Sequence, residues 1–245
     1  MKTRLWIVLP VIVGLILSGC NISVDMKVVR GSGKVAREER QVNGFDRVNL
    51  AGSGTLSIEQ SDKEELVIEA EDNILPLLTS EVRGNTLTLS VKPMSNIAPT
   101  QRIHYILKVR DLRELKIVGS GDASMTRLAT DDLSIALVGS GDIDIMNLDA
   151  KSVTVNISGS GQVRLAGRVE KQEMTLMGSG NYRAENLESN TATISIPGSG
   201  SADVWVKNEI GITIMGSGTV RYSGSPRLTQ KITGSGTIRN VGERN

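Results

Sequence analysis

Gly-Ser-Gly recurs along this chain at a nearly fixed interval, and that interval limits the fold more than any other feature. From Gly119 onward the tripeptide starts at Gly119, Gly139, Gly159, Gly178, Gly198, Gly216 and Gly234, in steps of 20, 20, 19, 20, 18 and 18 residues. Earlier copies start at Gly31 and Gly52. So regular a step marks a solenoid, in which each repeat is one coil that cannot bury its apolar face without its neighbours. Around each tripeptide the residues alternate. Leu133, Ile135 and Leu137 lead into Gly139-Ser140-Gly141, and Ile143 and Ile145 follow between Asp142 and Asp144. Val153, Val155 and Ile157 precede Gly159, and Val163 and Leu165 follow Gly161. Period-two alternation sends one set of side chains inward and the other into water. The pattern predicts an all-β chain, a parallel β-helix-like solenoid with ~18–20-residue coils and an N-terminal β-rich cap. A stack of hairpins is the competing arrangement.

In a solenoid the glycines have a structural task. Coils stack ~4.8 Å apart, so each corner lies beside the same corner of the next coil. A backbone that needs positive φ, or that closely approaches another chain, excludes a Cβ. Gly119 and Gly121, Gly139 and Gly141, Gly159 and Gly161, and Gly178 and Gly180 are assigned to such turns. Gly198 and Gly200, Gly216 and Gly218, and Gly234 and Gly236 follow. The intervening serines would form a column whose hydroxyls can bond along the stack. This reading displaces that of a phosphate cradle.

Residues 1–19 read as a lipoprotein signal peptide, with Lys2 and Arg4 ahead of an apolar stretch from Leu5 to Leu17. Leu17-Ser18-Gly19-Cys20 has the form of a bacterial lipobox, which would make Cys20 a lipidated first residue. Cys20 is the one cysteine, so no disulfide forms within the chain. Residues 20–33 are expected to tether the lipid to a domain over 34–242. Strand signals fall at Val48 to Leu50, Leu56 to Ile58, Leu66 to Ile68, Leu87 to Leu89 and Ile103 to Val109, with a hairpin turn at Arg83-Gly84-Asn85. Alternation breaks over Glu71 to Val82. A short helix capped by Asp72 with Pro76 in its first turn, or an irregular plug, would cover the open end of the solenoid.

Composition narrows the function. With 28 basic and 27 acidic side chains the net charge is +1, which argues against nucleic acid as a partner. Outside the signal the aromatics are Phe45, Tyr105, Tyr182, Trp205 and Tyr222, too few for a stacking platform. Gly-Ser-Gly-Asp at Gly119 to Asp122 and Gly139 to Asp142 is similar to a calcium repeat, but later copies carry Gln162, Asn181, Ser201, Thr219 and Thr237 at that position. Repeated calcium binding is therefore not expected, and no metal or cofactor is assigned. No dinucleotide fingerprint or P-loop lysine is present. The single histidine, His104, sits in a strand-like run without a nucleophile elbow.

Two places beyond each Gly-Ser-Gly-x, the outward position reads Ser124, Asp144, Arg164, Arg183, Asp203, Arg221 and Arg239. Stacking in register would turn these into a ladder, with like charges adjacent at Arg164/Arg183 and Arg221/Arg239. Neighbouring arginines could engage a carboxylate or phosphate polymer. The alternative is a solvated face of weak Asp–Arg pairs.

Arg40-Gln41-Val42-Asn43-Gly44-Phe45-Asp46-Arg47-Val48 followed by Gly52-Ser53-Gly54 resembles the start of a bacterial domain of unknown function, the auto-transporter adhesin head or GIN domain. Glu69 to Pro76, Glu81 to Gly84 and the Gly-Ser-Gly-Asp turns are similar to that family too, so the resemblance spans about residues 34–242. It implies an exported, β-helical and often lipid-anchored protein without an established enzymatic activity. The chain ends from Arg239 to Asn245 without the strand pattern of a barrel anchor. Asn21 replaces the aspartate associated with inner-membrane retention, which points to the outer membrane. The resulting expectation is a non-enzymatic envelope lipoprotein, a binding, adhesion or scaffold module held to the membrane by its lipid. Its expected partners are a polysaccharide or an envelope protein, and association between copies stays open. The alternative is a polysaccharide-active β-helix enzyme, a lyase or hydrolase, with Asp122, Asp142, Asp144 and Arg164 as nearest candidates.

Overall fold

A computed structural model describes residues 28–243. The expected signal peptide and the expected lipidation site Cys20 lie outside the described residues. The hairpin alternative falls, because every coil-to-coil pairing is parallel. Leu128–Gly139 lies beside Asp142–Gly159, which lies beside Gln162–Gly178, then Asn181–Ile196 and Ser201–Gly216. Thr219–Ser223 and Arg227–Gly234 pair with the Ser201–Gly216 strand, and Thr237–Asn240 closes the stack. Each coil has a run leading into the Gly-Ser-Gly corner, a run after it, and a shorter return run, such as Leu148 to Ser152, that meets the next coil.

Register makes the alternating residues into continuous buried columns. Leu115, Ile135, Val155, Met174, Ile194 and Ile212 are successive partners before the corner. Ala123, Ile143, Val163, Tyr182, Ala202 and Val220 are successive partners after it. All twelve are buried, so the core is one rod of stacked side chains. The large Tyr182 is matched by the small Ala202 in the adjoining coil.

Sequence order and stacking order part company near the N-terminus. Arg47–Gly52 and Thr55–Gln60 form the coil beneath Glu114–Gly119 and Asp122–Met125, with Gly52 opposite Gly119. The segment between them is an excursion that covers the far side of that first coil. Thr86–Val91 and His104–Val109 add parallel strands there, and Glu65–Glu71 pairs antiparallel with both His104–Val109 and Val35–Arg40. Leu78–Arg83 and Thr86–Val91 form the expected hairpin, with Gly84 at φ 57°.

Of the two forms expected of the plug, the structure has the irregular one, and the Asp72-capped helix does not form. Only Leu75–Leu77 is helical, as one 3-10 turn, and no side chain caps it. Asp72 instead accepts from the Ser32 hydroxyl at 2.5 Å. The Arg40 guanidinium holds the turn by donating to the Leu75 and Leu78 carbonyls at 3.0 and 2.9 Å. Within the stretch read as a tether, Val28–Arg30 pairs with Asn96–Ala98. The first Gly-Ser-Gly, at Gly31, is therefore no coil corner. A Cβ on Gly31 would lie 1.9 Å from the Glu71 carboxylate.

Candidate functional site

The outward column after the corner forms as its spacing predicts. Ser124, Asp144, Arg164, Arg183, Asp203, Arg221 and Arg239 are successive register partners. The Arg164 guanidinium donates to Asp144 at 2.8 Å. Arg221 grips Asp203 with two bonds, Nε to Oδ1 at 2.5 Å and Nη2 to Oδ2 at 2.7 Å. This two-point contact raises the Arg221 pKa, first by hydrogen bonding and then by charge. Asp203 is consumed by Arg221, so Arg183, its other register neighbour, is left without an ion pair among the described residues, as is Arg239. Both are exposed. The ladder thus reduces to two neutralised pairs and two available guanidinia.

The shorter return face is also charged, and its charges pair from coil to coil. Lys151 meets Asp131 at 2.8 Å, Arg168 meets Asp149 at 2.6 Å, Lys207 meets Glu188 at 3.0 Å, and Arg227 meets Glu209. Such exposed pairs contribute only ~0–1 kcal/mol each. Trp205 lines an open groove at this edge with Lys207, Asn208 and Ser225.

The aspartates after the corner have a local task. Asp122 Oδ1 accepts the Asp142 backbone N–H at 3.1 Å, and Asp142 Oδ1 accepts that of Gln162 at 3.2 Å. Together with Asp144, the carboxylates considered for hydrolytic chemistry are therefore engaged between coils. His104 is exposed on its strand opposite Thr55. Among the described residues no group of three His, Cys, Asp or Glu side chains converges to hold a metal.

The Gly-Ser-Gly corner is built by backbone. Ser140 N–H donates to Gly119 O and Ser160 N–H to Gly139 O, both at 3.0 Å. Gly139 has φ 134°, and a Cβ there would sit 2.0 Å from Gly119 O. The third residue needs glycine for a different reason. Gly141 has no positive φ, but its Cβ would sit 1.9 Å from Gly121 O. The serine hydroxyls do not bond along the stack as expected: they project into solvent, and the inter-coil bonds come from the amides instead.

Two buried polar arrangements escaped the sequence reading. Inside the rod, Tyr182 donates to Gln172 Oε1 at 3.1 Å, Gln172 donates to Ser189 Oγ at 2.6 Å, and Ser189 donates to Trp205 O at 2.9 Å. Burial pushes the Tyr182 hydroxyl well above its usual range. At the cap, the buried Glu71 carboxylate accepts from Thr100 Oγ1 at 2.6 Å, from Thr100 N–H at 2.8 Å and from Gly33 N–H at 2.6 Å. These bonds, the Thr100 hydroxyl foremost, hold its pKa at about 2. Neither arrangement follows a repeat, so no periodic signal marks it.

Comparison with known proteins places this architecture. A solved protein described as a "putative adhesin" from Bacteroides fragilis NCTC 9343 is 28% identical, with 87% of this chain and 100% of that one covered at a TM-score of 0.83. A "putative lipid binding protein" from Parabacteroides distasonis ATCC 8503 is 25% identical, covering 88% and 100% at a TM-score of 0.76. A "putative adhesin" from Parabacteroides merdae ATCC 43184 shares the fold at 22% identity, covering 87% and 99% at a TM-score of 0.72. No curated protein matches the chain. The family model described as "Putative auto-transporter adhesin, head GIN domain" matches residues 44–226, which hold the corners from Gly52 to Gly216, and the chain belongs to that family.

Proposed function

We propose that the protein is a non-enzymatic envelope lipoprotein, anchored through Cys20, that binds an anionic envelope polysaccharide through its arginine ladder. The observation that carries this reading is the availability of Arg183 and Arg239 on a column whose other charges are paired. They stand three coil steps apart, about 14 Å along the axis at the ~4.8 Å strand spacing. A polymer with repeated carboxylates matches such spaced guanidinia, each able to form charge-assisted bonds. Family membership and the neighbours described as adhesins support a binding role over an enzymatic one. An outer-membrane location belongs to the same reading.

The test is binding of the full chain to polygalacturonate. Reversing Arg183 and Arg239 to glutamate lowers affinity by ~10-fold or more, as loss of charge-assisted bonds implies. Unchanged affinity, or turnover of the polymer that Asp142→Ala abolishes, contradicts the reading.

A further inference from the structure

The face leading into the corner is unlike the other two. From Ser134 to Met215 its outward positions fall on five successive coils, and Glu173 is the single charged residue among them. Lys171 neutralises Glu173 at 2.5 Å. The rest are uncharged, and away from the corner edge they are short, as in the column Ala136, Asn156, Thr175, Ser195 and Thr213. Along the corner edge runs an apolar ridge: Val118, Val138, Met177 and Met215 are 37, 43, 50 and 52% exposed. Exposed apolar residues gathered in one row on a charge-depleted surface mark a contact surface.

We infer that this face is where a second copy of the chain docks, sheet against sheet and antiparallel. Charge permits this on no other face. The ladder side carries two unpaired arginines and the return side alternates ions, whereas here self-association sets no like charges together. Area agrees. Counting the coil at Val118, which adds Glu114 and Lys116 opposite Gly211 and Thr213 of the second copy, six coils span ~29 Å, and the five residues from Ser134 to Val138 span ~17 Å, giving ~500 Å² per copy. The total of ~1,000 Å² sits at the lower limit for a specific interface, so the pair is reversible and concentration-dependent.

The antiparallel sense follows from the ridge. A two-fold axis across the strand stack, between Asn156 and Thr175, sets ridge against ridge. Val118 then faces Met215 of the second copy, Ser158 faces Met177, and Ala136 faces Ser195. A parallel two-fold pairing centred on this face would lay the ridge over the opposite, polar edge. Face-to-face sheets pack ~10 Å apart with side chains interleaved, which these short residues allow.

Sedimentation of the full chain in detergent tests this. The protein part of the wild-type mass doubles with concentration, and Thr175→Arg and Ser195→Glu each return it to monomer, a twofold fall. Circular dichroism keeps its β spectrum in both, and Arg183→Glu leaves the mass unchanged, which separates this face from the proposed polymer site. A wild-type monomer at every concentration overturns the inference, as does a dimer that survives both substitutions. A monomer whose sedimentation with phosphatidylglycerol vesicles is lost in Thr175→Arg also overturns it, making a membrane the occupant.

Discussion

A glycine in this chain is required where another backbone occupies the place of its Cβ. At Gly141 that place is 1.9 Å from the Gly121 carbonyl oxygen, so Gly141→Ala forces two coils apart. It should destabilise by ~1–3 kcal/mol or more in urea unfolding, in the range of overpacked sites. Gly211 is the internal control, since a Cβ there meets nothing within 4 Å and φ is not positive. Gly211→Ala should be neutral or stabilise by ~0.4–1 kcal/mol through the unfolded chain. The buried Gln172 is a second residue-scale test. Gln172→Leu leaves the Tyr182 hydroxyl without its acceptor and Ser189 without its amide donor. A loss of ~1–3 kcal/mol is expected, largely rescued when Tyr182→Phe removes the orphaned hydroxyl. The corner glycines were legible because their spacing repeats. The Gln172 network was not, because in sequence it is a polar residue in an apolar phase, and only stacking brings Tyr182 and Ser189 to it.

The two ends of the rod are finished by different elements. At the N-terminal end the excursion over residues 61–113 covers the first coil, and Glu71 fastens the chain near Gly33 to the loop at Thr100. Its folded carboxyl titrates at about 2, below the ordinary 4.5. The fastening is therefore complete above pH 4.5 and is lost as pH falls from 4.5 toward 2. Glu71→Gln should remove that dependence, and amide exchange at residues 28–33 and 96–101 should rise at neutral pH. Faster exchange only on acidification in the variant would contradict it. At the other end the core thins: Gln230 takes the place of Ile212 and Asn240 that of Tyr222, while Leu228, Ile232 and Ile238 continue their columns. Lys231 and Arg239 stand on the exposed final strands, where charge discourages edge pairing. The individual strands could be read from alternation, which is local. Their order could not, because the coil at Gly52 meets the coil at Gly119 across an intervening excursion that carries no repeat.

At the scale of the molecule, in-register stacking turns single positions into columns, and columns into faces of distinct chemistry. The arginine ladder was legible because register follows from a constant step. Which arginines stay available was not, since pairing of Asp203 with Arg221 and not with Arg183 is a matter of side-chain geometry. The charge-poor face was hidden for a similar reason, its character emerging when five coils are laid side by side. Each of these faces exists only in that register, so register is the decisive thing to measure. Replacing Asp144 and Arg164 by cysteine puts two thiols on adjacent parallel strands, within the ~4.4–6.8 Å Cα range of disulfides. The same chain with Asp144 and Arg183 replaced separates them by two coil steps, ~9.6 Å at the strand spacing. Under mild oxidation, mapped by peptide mass spectrometry, the first pair should close and the second should not. Closure of the second pair in preference to the first would contradict the stacked parallel coils.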